Sequence, residues 1–516
     1  VRNKPGSGLR EIVGGAGVTL LGAAAGGAVM YLNEILAARF LGLRTYGLFA
    51  LALTLAKICE ILSFCGLTGG SIRFVSIHIV AQRPERVVGT VLASLALPVL
   101  LGSTLAALVW ALAPWLSQQV FHDPGVQIYI QRVSLAVPLM AFSGMAAVVT
   151  RGFGFSKYYV LVKNLIPPLV FCGLMVFLVR IGADLLRITD AFILSYAVAA
   201  LAGLVSLLRL LGPSLWKVRP AFDLRSLYGY SLPLLVNSIL YVVLAWTDIV
   251  VLGMFWTTDV VGIYRACTQT ALAMTLIGAS FNAATSHIFP VLSEAGRLAE
   301  LRQAYERSTR WVTAVSVPVF LVVVLNARTL LGLLGPEFTA GAGALAILCF
   351  GNLLNNSMSP AAWVLIMGGR QTVETANCVA TAALNLLLNL WGSPRYGLWG
   401  AAIATTVSLS AINLVRGVEI RRLIGIPAIA PPVLKIYLAG CLAGAAILAA
   451  ASWLGMGAAA GLGWLGVRAA AILVLFGGAL WAAGLEPEDR ELVVRLTRRR
   501  NRLGAPVAGA IDGQAL

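Results

Sequence analysis

Six polar side chains interrupt long apolar runs: Asn33 and Glu34 in MYLNEILAARF, Lys57 and Glu60 in LALTLAKICEILSF, Asp248 in LAWTDIVVLGMF and Arg265 in VVGIYRACTQT. A charge in hydrocarbon is costly, so residues of this kind face a partner or a wet cavity and mark paths for ions or substrates. Lys57 and Glu60 are three apart and share a helix face, so an ion pair is predicted. That pair either neutralises itself in order to tolerate burial, or lines a cavity and offers an ammonium to an anionic cargo. Asp248 and Arg265 stand 8.5 residues either side of a turn centred at 256.5, which predicts one depth on two antiparallel helices and a second pair. This second pair reads as a bridge that stabilises its half of the protein, or again as cavity lining.

Spacing excludes most other chemistry. No G-x-x-x-x-G-K-[ST] run occurs, so no built-in ATPase is expected. The glycine-rich GGAGVTLLG of residues 14–22 lies inside an apolar stretch with no strand before it, and Gly22 and Gly26 suit close helix packing. His78, His122 and His287 fall at separate helix ends, and the seven cysteines sit in apolar stretches without a C-x-x-C pair. Neither a metal site nor a disulfide framework is therefore expected, and the chain reads as a non-enzyme without a cofactor. Nine intramembrane amides, including Gln269, Asn282, Asn355 and Asn377, either bond helix to helix or line a hydrated cavity.

The elements that position these residues are membrane helices. Of 516 residues 59% are hydrophobic and 11% charged, against roughly a quarter charged in soluble domains; mean hydropathy is +0.88. The net charge of +17 is spread singly between apolar runs, so no face tracks nucleic-acid phosphates. With about 20 apolar residues needed per crossing, fourteen spans are predicted: 13–40, 47–70, 87–114, 129–150, 159–182, 189–211, 230–253, 260–285, 311–334, 342–367, 372–392, 398–418, 432–454 and 464–484. The first is too long for a secretory h-region and reads as a retained helix. With an inward N-terminus, inward segments hold 28 Lys and Arg and outward ones nine, so both termini are expected to be cytoplasmic. Outward loops are short; the inward ones are Arg73–Arg86, Gly212–Tyr228 and His287–Arg310, the last with a helix along the cytoplasmic face. From Glu486 the tail turns basic (RLTRRRNR) and is expected to be solvated or to rest on anionic headgroups.

A repeat organises the spans. FLGLRTYGLF (40–49) and FWTTDVVGIY (255–264) align at an offset of 215, matching Phe40 to Phe255, Gly47 to Gly262, Leu48 to Ile263 and Phe49 to Tyr264. The same offset places Asp248 opposite Asn33. The fold class predicted is an all-α polytopic bundle: a first six-helix lobe (1–211), a linker (212–229), a second lobe (230–422), two additional helices (423–484) and a basic tail (485–516). Such repeats commonly place the substrate between them near the midplane.

Three stretches resemble the Wzx-type polysaccharide (O-antigen) flippases of the multidrug/oligosaccharidyl-lipid/polysaccharide exporter superfamily: ARFLGLRTYGLFALA (38–52), TDIVVLGMFWTTDVVGIYRA (247–266) and the ALNLLLN…YGLWGAAIAT portion of 368–408. LLGPEFTAGAGALAIL (333–348) fits the same pattern. The resemblance implies two six-helix lobes that alternate access to a central cavity in a bacterial inner membrane. Its implied cargo is an oligosaccharide on undecaprenyl diphosphate, for O-antigen or other surface polysaccharide, with membrane lipids, a polymerase and glycosyltransferases as partners and a proton or sodium gradient as a source of coupling. It also implies cations that meet the diphosphate, for which Lys57, Arg39 and Arg265 are candidates. The chain lacks the dense arginine cluster of lipid II flippases in its first two helices, which argues against that cargo. Two alternatives are a cation-coupled multidrug antiporter, with Glu34 as its ion site, and a membrane glycosyltransferase or polymerase, which the short outward loops disfavour.

Overall fold

The computed structural model describes residues 8–482 apart from 217, 286–288, 290–291, 294, 368, 428–430 and 454–461, with side chains from residue 25 onward except at a few positions beside those. His287 and the basic tail lie outside the described residues. Every regular element among them is helical. Apolar all round, these helices satisfy their backbone groups internally, as hydrocarbon requires.

The first helix, α1 (Gly8–Ser63), has 56 residues. Run straight it would extend about 84 Å at 1.5 Å per residue. It folds back instead at Gly42, whose φ of 72° and ψ of 169° suit a residue without a Cβ. A hydrogen bond of 2.6 Å between Glu34 and Tyr46, twelve residues apart, requires that reversal. Among the described residues, twelve helices are long and apolar enough to cross a membrane, or thirteen when two segments bent by 42° count as one. That count takes residues 25–80 as one helix; the reversal at Gly42 separates it from the fourteen spans predicted.

After α1 come α2 (Leu67–Val80), α3 (Pro84–Trp115), the bent pair α4 (Val126–Ser134) and α5 (Val137–Gly152), the single turn α6 (Ser156–Tyr159), α7 (Ile166–Arg180) and α8 (Arg187–Trp216). Then follow α9 (Leu224–Phe255), α10 (Thr258–Thr285), α11 (Leu298–Leu325), the short α12 (Ala327–Gly332), α13 (Ala342–Met367), α14 (Gln371–Tyr396) and α15 (Leu398–Leu423). Helix α5 packs on α3 and α8, α13 and α14 on α15, and α1 reaches across to α9 and α10. All of these belong to one compact unit, Val1–Ala430; in a second, Pro431–Leu516, α16 (Pro431–Trp453) and α17 (Leu462–Ala482) pack on each other.

Two expected loops are helical. Arg73–Arg86 is largely the end of α2, leaving a turn at 81–83. The charged 298–310 stretch is no separate surface helix but the start of α11: no Gly or Pro breaks it, and Arg297–Glu300 and Arg302–Glu306 pairs brace its exposed face. Between α6 and α7 the chain widens into a π-turn at Val160–Leu165, because Pro167 and Pro168 bring no N–H to the carbonyls one turn earlier. Gly26 lies directly against the Asn164 carbonyl at this break, as its proposed packing role requires.

Candidate functional site

The two repeat hairpins cross at the end of the bundle that charge bias assigns outward. A Cβ on Gly262 would stand 3.0 Å from the Leu43 carbonyl oxygen and 3.3 Å from the Gly47 nitrogen. One on Gly47 would collide with the Thr258 carbonyl oxygen. Leu43 and Thr258 are also 215 apart, so each hairpin presents the same two positions to the other, as in a two-fold contact. Beside this crossing Asp123 receives Arg44 at 3.5 Å and the Thr258 hydroxyl at 3.3 Å, next to a cavity of about 620 Å³.

Below the crossing, the charges pair differently from the sequence prediction. Arg265 binds Glu34 at 2.7 Å rather than Asp248. Asp248 instead accepts from the Tyr264 hydroxyl at 2.5 Å and from the Ile249 amide at 2.9 Å. Equal depth does not fix the direction around a helix, and successive residues diverge by about 100° at 3.6 per turn. Tyr264 takes the direction toward α9, which leaves Arg265 pointing at α1. The result is a bridge between the two repeats, 8% and 12% exposed at its side chains. The Tyr46 hydroxyl donates to the other Glu34 oxygen, and the Trp246 ring lies 5.7 Å from the guanidinium. The Gln269 amide, oriented by that positive charge, accepts from Arg265 at 2.8 Å.

Lys57 and Glu60 form the predicted pair at 2.8 Å. Lys57 also donates to the Tyr196 hydroxyl at 3.0 Å, with side-chain exposure of 29% against 8% for Glu60. Asn33 is buried and donates to the Pro168 carbonyl at 2.8 Å. Arg39 is exposed and donates to the Leu333 carbonyl at 2.5 Å, away from both pairs.

Several other cations, to which sequence reasoning gave no role, form a pattern in the structure. Arg151 rests 3.7 Å from the Tyr159 ring centre, Lys163 lies 5.6 Å from Phe64 and 5.8 Å from Tyr159, Lys157 is 5.1 Å from Tyr158, and Arg73 is 4.6 Å from Tyr230. Each is held by an aromatic face. Among the described residues none of the four has a carboxylate within ion-pair distance. The strip adjoins Lys57: a Cβ on Gly144 would touch both the Phe64 ring, at 2.8 Å, and Glu60 Oε1, at 3.5 Å. Also unforeseen is the buried Glu374–Arg416 pair joining α14 to α15, 42 residues apart in sequence.

Long apolar helices with paired charges between them define a polytopic membrane protein. Residues 12–295, more than half of the chain, match the family described as "Polysaccharide biosynthesis protein", and the chain belongs to that family. Residues 233–391 also match MatE. The chain is similar to "Probable low-salt glycan biosynthesis flippase Agl15" of Haloferax volcanii, 30% identical over 208 residues, which are 38% of this chain and 42% of that protein. "Probable flippase AglR" of the same organism is 23% identical over 171 residues, 32% of this chain and 36% of that protein. The chain thus spans less than half the length of either relative. In fold it resembles the lipid II flippase MurJ in an inward closed conformation (TM-score 0.67, 11% identity, 89% of this chain and 97% of that one). It also resembles an inward-facing multidrug resistance MATE family transporter (TM-score 0.66, 16% identity, 77% and 94%).

Proposed function

We propose that the protein is a flippase that carries an oligosaccharide linked to undecaprenyl diphosphate across a membrane, for the assembly of surface polysaccharide such as O-antigen. Two lobes, residues 1–211 and 230–422, alternate access to a cavity between them, and the helices after 423 are an addition to that core. The membrane is the inner membrane of a bacterium, with both termini in the cytoplasm. The protein does no chemistry on its cargo; glycosyltransferases supply the cargo and a polymerase consumes it.

One observation carries this reading: a lysine within the membrane next to a strip of cations that rest on rings rather than on carboxylates. Lys57 lies about 23 Å along its helix from the Gly42 turn at 1.5 Å per residue. A diphosphate-sugar head cannot cross hydrocarbon alone, while its polyprenyl tail stays in lipid. Lys163 and Arg151, whose charge no carboxylate cancels, attract the diphosphate, and Lys57 receives it deeper in. Arg265, committed to Glu34, is a structural partner in this scheme. The antiporter reading needs Glu34 free for a cation, yet Arg265 and Tyr46 already occupy its two oxygens.

The test is complementation of a deletion strain. Loss of the gene is expected to accumulate polyprenyl-linked oligosaccharide, and Lys57→Ala or the pair Arg151→Ala with Lys163→Ala to leave that defect in place although the protein reaches the membrane. Normal surface polysaccharide from Lys57→Ala would remove Lys57 from the path.

A further inference from the structure

The second repeat contains a cavity of about 250 Å³ to which Leu244, Asn355, Trp363, Thr381, Leu409 and Arg416 contribute. Its charge is balanced within its own wall. Arg416 gives Glu374 two hydrogen bonds, one from Nε at 3.0 Å and one from Nη2. A diphosphate would find no uncompensated cation there.

The same ion pair fixes the polarity of the wall. Arg416 Nη1 donates to Asn413 Oδ1 at 3.3 Å, so the other end of that amide must be its nitrogen. Asn413 Nδ2 then donates to the Leu409 carbonyl at 2.7 Å and to Asn355 Oδ1 at 3.2 Å. With its oxygen accepting from Asn413, Asn355, a residue of the cavity lining, keeps an NH₂ that bonds to no protein group among the described residues. Thr381 donates its own proton to the Asn377 carbonyl at 2.7 Å, which leaves the hydroxyl as an acceptor. Asn282, also in the lining, accepts from the Ser359 hydroxyl at 3.3 Å through its oxygen and likewise presents an NH₂, so the cavity offers two amide donors, an acceptor, an indole and apolar walls, without net charge. Neutral hydroxylated rings are recognised by such a mixture of apolar surface and few fixed polar groups.

We propose that this cavity holds a sugar residue of the cargo head group, with the Asn355 amide as the donor that selects it. The proposal rests on the lipid-linked glycan reading above. It is tested by binding to the full-length protein in nanodiscs of two probes: undecaprenyl diphosphate, bare or carrying one neutral hexose. The wild type is expected to bind the hexose-bearing probe about tenfold more tightly, the size of one well-placed hydrogen bond. Asn355→Asp keeps the oxygen that accepts from Asn413 and turns the donor into an acceptor; Asn355→Leu removes both groups. Either variant is expected to abolish the preference while binding the bare probe as the wild type does, which also reports that it is folded. A preference that survives both substitutions, or a wild type that binds the two probes equally, overturns the sugar site and leaves the diphosphate reading intact. A wild type that binds neither probe overturns both.

Discussion

Cutting the Glu34–Arg265 bridge is expected to open the outer crossing. The bridge joins helices of the two repeats, is about one-tenth exposed and measures 2.7 Å. Removing one partner of a buried pair strands the other charge, at a cost of roughly 3–5 kcal/mol. Only the part of that cost specific to the closed arrangement shifts the balance between states; if half is specific, roughly 2 kcal/mol, the open population rises about thirtyfold. Leu43, whose carbonyl faces Gly262 and whose side chain is partly buried, gives the readout: a thiol introduced by Leu43→Cys, in a background without the native cysteines, is expected to react faster with a membrane-impermeant maleimide when the hairpins part. Arg265→Ala and Glu34→Gln are each expected to raise that labelling rate by more than tenfold. The exchange Glu34→Arg with Arg265→Glu restores attraction and is expected to return the rate to within a few-fold of the parent. Unchanged labelling in both single variants, or a double variant as reactive as either single one, would refute a bridge that holds the crossing shut.

Gly262→Val places a branched side chain where even a Cβ stands 3.0 Å from the Leu43 carbonyl; at about 1–3 kcal/mol for overpacking it is expected to hold the hairpins apart and abolish complementation, and normal export by this variant would show that the crossing need not close. Asp223 caps α9 by accepting from the Ser226 amide at 3.3 Å; hydrogen bonding from the Ser226 side chain first, and from this amide second, holds its carboxyl below its ordinary value. A depressed folded value means the cap is fully present above the unfolded range near ~3.9 and is lost as pH falls through the folded one. Protection of the Ser226 amide from hydrogen exchange is expected to follow that course and to be low at every pH in Asp223→Ala; protection independent of pH in the wild type would refute it.

Local features of this molecule could be read from its sequence, and features that depend on direction could not. Apolar runs of membrane length located the helices, and 342–367 matches its predicted limits residue for residue. The Lys57–Glu60 pair was legible because i,i+3 spacing sets both depth and face. Asp248 and Arg265 shared depth alone, and one residue of rotation gave Arg265 to Glu34. Arg151 looked like a loop charge and Lys163 like a lone cation inside the 159–182 span, because their partners are rings and a carboxylate is the partner that charge patterns advertise. Glu374 and Arg416 escaped for a related reason: they lie inside the predicted spans 372–392 and 398–418, 42 residues apart, where no local spacing links one to the other.

The ammonium of Lys57 comes with its own anion, Glu60, at 2.8 Å. Lys57 has three N–H donors and spends two, on Glu60 and Tyr196, so in the proposed scheme a phosphate that takes the third shares the ammonium with a carboxylate tethered three residues away, which competes for it. The pair is thus an ion exchanger with one counter-ion built in. In the proposed scheme affinity for the cargo is capped by that competitor, and dwell time can be tuned by the reach of a glutamate without any change to the lysine.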